Sequence, residues 1–171
     1  MTMFRRKGGV CVATFSPQEA QVLRQCVAEL AALLNDAPDP DDPAVERLFP
    51  DVYPEDPEAA AEFRRFTEGA LRDGKATGAA TVIDTLEEAG LPPELTEDGL
   101  MIDVEMDRAT AETWLRTFTD LRLALATRLG VEEGDDDEWL AMPDDDPRSQ
   151  AHDIYQWVGY LQETLVDALT G

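Results

Sequence analysis

Leu100-Met101-Ile102-Asp103-Val104-Glu105-Met106 decides how the rest of the chain is read. Leu100, Ile102, Val104 and Met106 alternate with Met101, Asp103 and Glu105, which gives one apolar and one mostly charged face. That is the period-two pattern of a half-buried strand. The other β candidate is Val10-Cys11-Val12-Ala13-Thr14-Phe15, a short apolar, β-branched run. Two isolated strands most simply pair with each other. A lone two-stranded ribbon is marginal in water, so it must lie on helices. The expected fold is therefore mainly α: a single-domain helical bundle over residues 1–171 with a small two-stranded antiparallel β-ribbon.

The helices follow from their start and stop signals. Ser16-Pro17-Gln18-Glu19 combines an N-cap serine, proline at the first helical position and glutamate at the third. The helix beyond it carries Val22, Cys26, Val27, Leu30, Leu33 and Leu34 at helical spacing. A second amphipathic helix runs from about Pro57, with Phe63, Phe66, Ala70 and Leu71. Gly74 and Gly78 interrupt its pattern before Val82, Ile83, Leu86 and Ala89 resume it. Asp107 caps a long helix with Trp114, Phe118, Leu121, Leu125 and Leu129 on one stripe, closed by Gly130. The last helix aligns Ile154, Val158, Leu161, Leu165 and Leu169, with Tyr155 and Trp157 flanking that face.

Charge narrows the function. The chain has 171 residues, 37 acids against 14 bases and a formal net charge of −23. Half of the acids fall in two stretches, about 35–57 and about 131–147, which read as acidic linkers, the first rich in proline. Such a charge opposes any general phosphate-neutralising surface, so direct nucleic-acid binding is not expected. A fused ribbon-helix-helix regulator, which reads DNA with its ribbon, is the alternative. It would place Asp103 and Glu105 against phosphate. No apolar run reaches the roughly 20 residues of a membrane span, and Gly9 to Ala13 is too short for a signal-peptide core. The expected location is the cytoplasm.

Catalytic signals are absent. The acidic runs lack the alternation of a calcium loop, the glycines form no phosphate loop, and His152 has no nucleophile motif beside it. The sequence thus predicts no enzyme, no metal site and no cofactor, and a surface or capping role for His152. Arg122, between Leu121 and Leu123, would need a carboxylate partner if partly buried, with Asp120 one candidate. Cys11 and Cys26 are the candidates for redox chemistry. If the first helix packs back along the first strand, the two reach similar heights, about 15 Å from the turn. Arg5, Arg6, Lys7 and Arg24 flank them, and nearby cations favour thiolate.

Leu48-Phe49-Pro50-Asp51-Val52-Tyr53, Ala61-Glu62-Phe63-Arg64-Arg65-Phe66, Trp114-Leu115, Asp120-Leu121-Arg122-Leu123, Tyr155-Gln156-Trp157 and Leu161-Gln162-Glu163 occur in this order. Together they resemble the actinobacterial family of small helical proteins of unknown function that includes the oxidative-stress regulator AosR. Within that pattern, Pro50, Asp51, Tyr53, Phe63, Arg64, Trp114, Leu121, Arg122, Tyr155, Trp157 and Gln162 are the family-motif residues. The resemblance implies a redox-responsive transcriptional regulator that forms an intramolecular disulfide and works with an alternative sigma factor. Its targets would include a cysteine-biosynthesis gene cluster. The family's sensor cysteines are closely spaced, whereas fourteen residues separate Cys11 from Cys26, so a redox role here rests on geometry. The expected function is regulation by protein–protein contact, with a sigma factor as partner. The alternative is a plain adaptor with structural cysteines. Spare apolar helix face around Trp114 and Trp157 also allows a homodimer.

Overall fold

The computed structural model describes residues 2–35, 42–50, 55–91 and 100–171, with the side chain of Arg64 excepted. Its order is β1 (Arg5–Lys7), β2 (Val10–Phe15), α1 (Pro17–Asn35), α2 (Pro43–Leu48), α3 (Pro57–Glu88), β3 (Ile102–Met106), α4 (Arg108–Leu129), α5 (Asp136–Leu140) and α6 (Pro147–Thr170). The mainly helical class is as expected. β2 and β3 do pair antiparallel, Ala13 opposite Val104. A third strand was not anticipated: β1 pairs antiparallel with the other edge of β2, making a three-stranded sheet in the order β1-β2-β3. Gly8, at φ +63°, takes the left-handed position in the two-residue Gly8-Gly9 turn between the paired Lys7 and Val10.

The caps work as their sequences suggest. Glu19 N–H donates to Ser16 Oγ at 3.1 Å while Ser16 N–H donates to Glu19 Oε1 at 2.9 Å, a reciprocal capping box. Asp107 accepts from Thr110 N–H at 2.8 Å, which holds its carboxyl below the usual range. Gly130 closes α4 at φ +73°, and Val131 N–H reaches back to Ala126 O. α3 runs unbroken through Gly74 and Gly78. Within the first acidic stretch, Asp42 caps α2, which buries Ala44, Val45 and Leu48. α5 lies within the second acidic stretch.

The sheet presses its inner face, Cys11, Ala13, Phe15, Ile102, Val104 and Met106, onto the helices. Phe4, Phe15, Trp114 and Phe118 meet there with ring centroids 5.7–6.4 Å apart, mostly edge to face. In α1 the buried stripe is Ala20, Leu23, Val27, Leu30 and Leu34, about one residue round from the expected Val22 edge, and Cys26 sits half-buried at its border. Among the described residues no helix is long and apolar enough to cross a membrane.

Candidate functional site

The two thiols occupy different settings. Cys11 is buried on the inner face of β2, and both cysteines are free. Arg6 and Arg108 pull the Cys11 thiol toward ionisation, but burial outweighs them and its pKa is raised. A cleft of about 60 Å³ lined by Arg6, Cys11, Arg108 and Leu169 opens beside it. Arg6 and Arg108 are anchored there, donating to Gly171 O at 3.1 Å and Leu169 O at 3.4 Å. Cys26 is pushed up to about 11 by burial and then by Glu29. The cation expected beside it, Arg24, instead binds Glu87 Oε1 at 2.7 Å.

Both thiols are therefore neutral at physiological pH. A raised folded pKa favours the folded state below the unfolded thiol's value. Through Cys26, stability is accordingly expected to fall as pH rises from about 9 towards about 11. Alkylation of the native protein at pH 8 should be slow at both cysteines and should accelerate steeply above pH 9. Timed iodoacetamide labelling read by mass spectrometry checks this, and rapid labelling of native protein at pH 7 would contradict it.

On the outer face of the sheet Val12 lies between Arg5 of β1 and Glu105 of β3, and Thr14 is opposite Asp103. Thr14 Oγ1 donates to Asp103 Oδ1 at 2.7 Å. Arg5 of β1 and Glu105 of β3 thus share one row across Val12, and Asp103 and Glu105 interrupt any positive strip along this face.

Three family-motif positions, Arg122, Tyr155 and Gln162, converge between α4 and α6. Arg122 Nη1 donates to Gln162 Oε1 at 3.0 Å, and Gln162 Nε2 donates to Thr119 Oγ1 at 2.7 Å. The guanidinium lies 5.4 Å from the Tyr155 ring centroid. Gly159, one turn along α6 from Tyr155, also lies against the guanidinium: a Cβ there would stand 3.3 Å from Arg122 Nε. Leu121, on the adjoining face of α4, is in the core. Arg122 Nε is buried without a hydrogen-bond partner among the described residues. The expected carboxylate partner is replaced by a neutral amide and an aromatic face; Asp120, two residues away and so on another face of α4, pairs with Lys75 Nζ at 2.6 Å. Arg122→Lys keeps the charge but loses the planar contact. It is expected to cost about 1 kcal/mol in a urea titration.

Trp114 is fully buried and Trp157 packs half-buried against the core. Pro50 and Phe63 are at the surface. Asp51 and Tyr53, and the side chain of Arg64, lie outside the described residues. His152 corrects its expected surface or capping role: it is buried and stacks on Trp139 at 4.3 Å, and Asp146 caps α6. Asp135 Oδ2 accepts from Glu132 N–H at 2.7 Å and from Trp139 Nε1 at 2.8 Å, and these bonds, the first most, hold its carboxyl below the ordinary range. A flat ring inside an acidic segment thus ties α5 to α6. In sequence the one signal is that Trp139 is the single aromatic residue of the second acidic stretch.

The chain is similar to the oxidative stress regulator AosR of Mycobacterium bovis (strain ATCC BAA-935 / AF2122/97) and to that of Mycobacterium tuberculosis (strain ATCC 25618 / H37Rv). Each is 28% identical over 192 residues, covering 93% of this chain and 82% of the relative. A Mycobacterium leprae protein of the AosR name is 30% identical over 187 residues, covering 90% of this chain and 80% of its own. No solved structure matches. Residues 1–169 match the model of the DUF2017 family, a domain of unknown function, and the chain belongs to that family.

Proposed function

We propose that this protein is a non-enzymatic regulator of the oxidative-stress response that acts by contact with another protein, a sigma factor, under redox control. The observation that carries the reading is its charge of −23 on a fold whose outer sheet face carries Asp103 and Glu105 on its β3 edge. Such a surface repels phosphodiester polymers and attracts basic polypeptide. The names of its relatives support a regulatory role. For the switch, Cys11 has two guanidinium groups and a small cleft beside it. A peroxide that reaches the thiol would oxidise it to sulfenic acid, with the peroxide reduced to water, and Cys26 would then condense to the disulfide with loss of a second water.

The burial of both thiols favours a second reading, an adaptor with structural cysteines and no switch. Isolation of tagged protein from its own cells, with and without peroxide, separates the two. The proposal expects a sigma factor to be retained in redox-dependent amount, and Cys11→Ser to abolish the dependence. Retention unaffected by peroxide or Cys11→Ser supports the adaptor. Retention of DNA without protein overturns both.

A further inference from the structure

Between α3 and α4 lies an apolar groove of about 540 Å³. Ala70, Gly74 and Thr77 form one wall, Thr113 and Arg116 the other, and the Lys75–Asp120 pair lies at its base. At Gly78 the two helices touch, since a Cβ there would stand 3.0 Å from Thr117 Oγ1. At Gly74 nothing lies within 4 Å of the corresponding point. The helices therefore part along α3 from Gly78 towards Phe66. At that open end Phe66 is 79% exposed and Leu71 51%, a large apolar surface for a protein with this much charge.

Charge decides what could cover it. Glu62, Asp73 and Asp84 are exposed and recur every eleven residues. Eleven residues are close to three helical turns, so the three carboxylates form a line at intervals of about 16 Å along the side of α3 away from α4. None of them joins an ion pair among the described residues. A second copy would bring this line against another chain of charge −23, so the groove is poorly suited to self-association. A basic chain meets both demands.

We infer that the α3–α4 groove receives a basic amphipathic helix of the partner protein. Its apolar ridge packs on Phe66, Leu71 and the wall at Gly74, and its lysines or arginines meet Glu62, Asp73 and Asp84. This is the helix-in-groove mode, with apolar anchors for affinity and a charged flank for register. The inference rests on the protein-contact reading above and names its surface.

The test is an amide-resolved NMR titration with a synthetic helical peptide of about five turns, leucine and alanine on one face and lysine on the other. A counterpart with glutamate in place of lysine is the control. Saturable shifts are expected over residues 62–84 and 113–120, with none from the glutamate peptide. Gly74→Leu fills open space and raises helix propensity, so the fold is kept while the groove is blocked. It and Phe66→Ala should each weaken the lysine peptide about tenfold. Asp136→Asn with Asp137→Asn, in the other acidic segment, should change it less than twofold. Shifts centred on residues 132–146, equal binding of the glutamate peptide, or a dimer abolished by Gly74→Leu would each overturn the inference. If tagged protein carrying Gly74→Leu still retains its cellular partner fully, the groove falls and the contact reading stands. If the peptide docks as described but no cellular protein is retained, the groove stands and the contact reading falls.

Discussion

Trp114→Ala is expected to lower stability by about 4 kcal/mol, the range for deleting a fully buried aromatic side chain. Trp114 is 0% exposed and touches three other rings, Phe4 at 5.7 Å, Phe118 at 5.8 Å and Phe15 at 6.4 Å. These rings come from the N-terminal segment, the sheet and α4, so the cavity would open where the sheet meets the helices. Its indole N–H also donates to Thr85 Oγ1 of α3 at 3.4 Å. For a chain of this size the loss corresponds to a fall in Tm of roughly 8–16 °C. Thermal unfolding followed by circular dichroism measures it, and a fall below about 3 °C would show that the ring cluster is not the centre of the core.

Lys75→Met should have the next largest effect, about 3 kcal/mol, because it strands a buried carboxylate. Asp120 is 8% exposed at its side chain and Lys75 24%. Methionine keeps most of the aliphatic stem, so the loss isolates the charge. The sign reverses when both partners go. Lys75→Met combined with Asp120→Leu is expected to recover most of the stability, since an apolar pair of similar volume leaves no uncompensated ion. A urea-denaturation cycle over the four proteins tests this, and additive losses would contradict it.

The elements that follow from local chemistry were legible in the sequence. β3 was readable because one buried face imposes strict alternation, and α1 and α4 because their caps bond to their own first turns. β1 was not, since Arg5-Arg6-Lys7 is exposed throughout and shows no alternation. Its partner is the backbone of β2, and the real signal was Gly8-Gly9 at hairpin spacing before Val10. α2 was hidden for the opposite reason. Proline and acid dominate its neighbourhood, although Asp42-Pro43 is itself a helix start.

The candidate site was legible as residues and not as contacts. Arg122, Tyr155 and Gln162 carried the family pattern, but only α4 against α6 brings them together. Nothing local indicates that Gln162 rather than a carboxylate receives the guanidinium. The cysteines show the limit most clearly. Cationic neighbours in sequence suggested activated thiols, whereas burial dominates at both, and Arg24 spends its charge on Glu87.

The central claim is that this molecule regulates by touching protein. Photocrosslinking in its own cells tests it most directly, with benzoylphenylalanine placed at position 66 beside the groove and at position 12 on the sheet face. Adducts at position 66 that survive nuclease, are destroyed by protease and disappear with Gly74→Leu are the predicted result. Nuclease-sensitive adducts at position 12, or no adduct at either position, would contradict it.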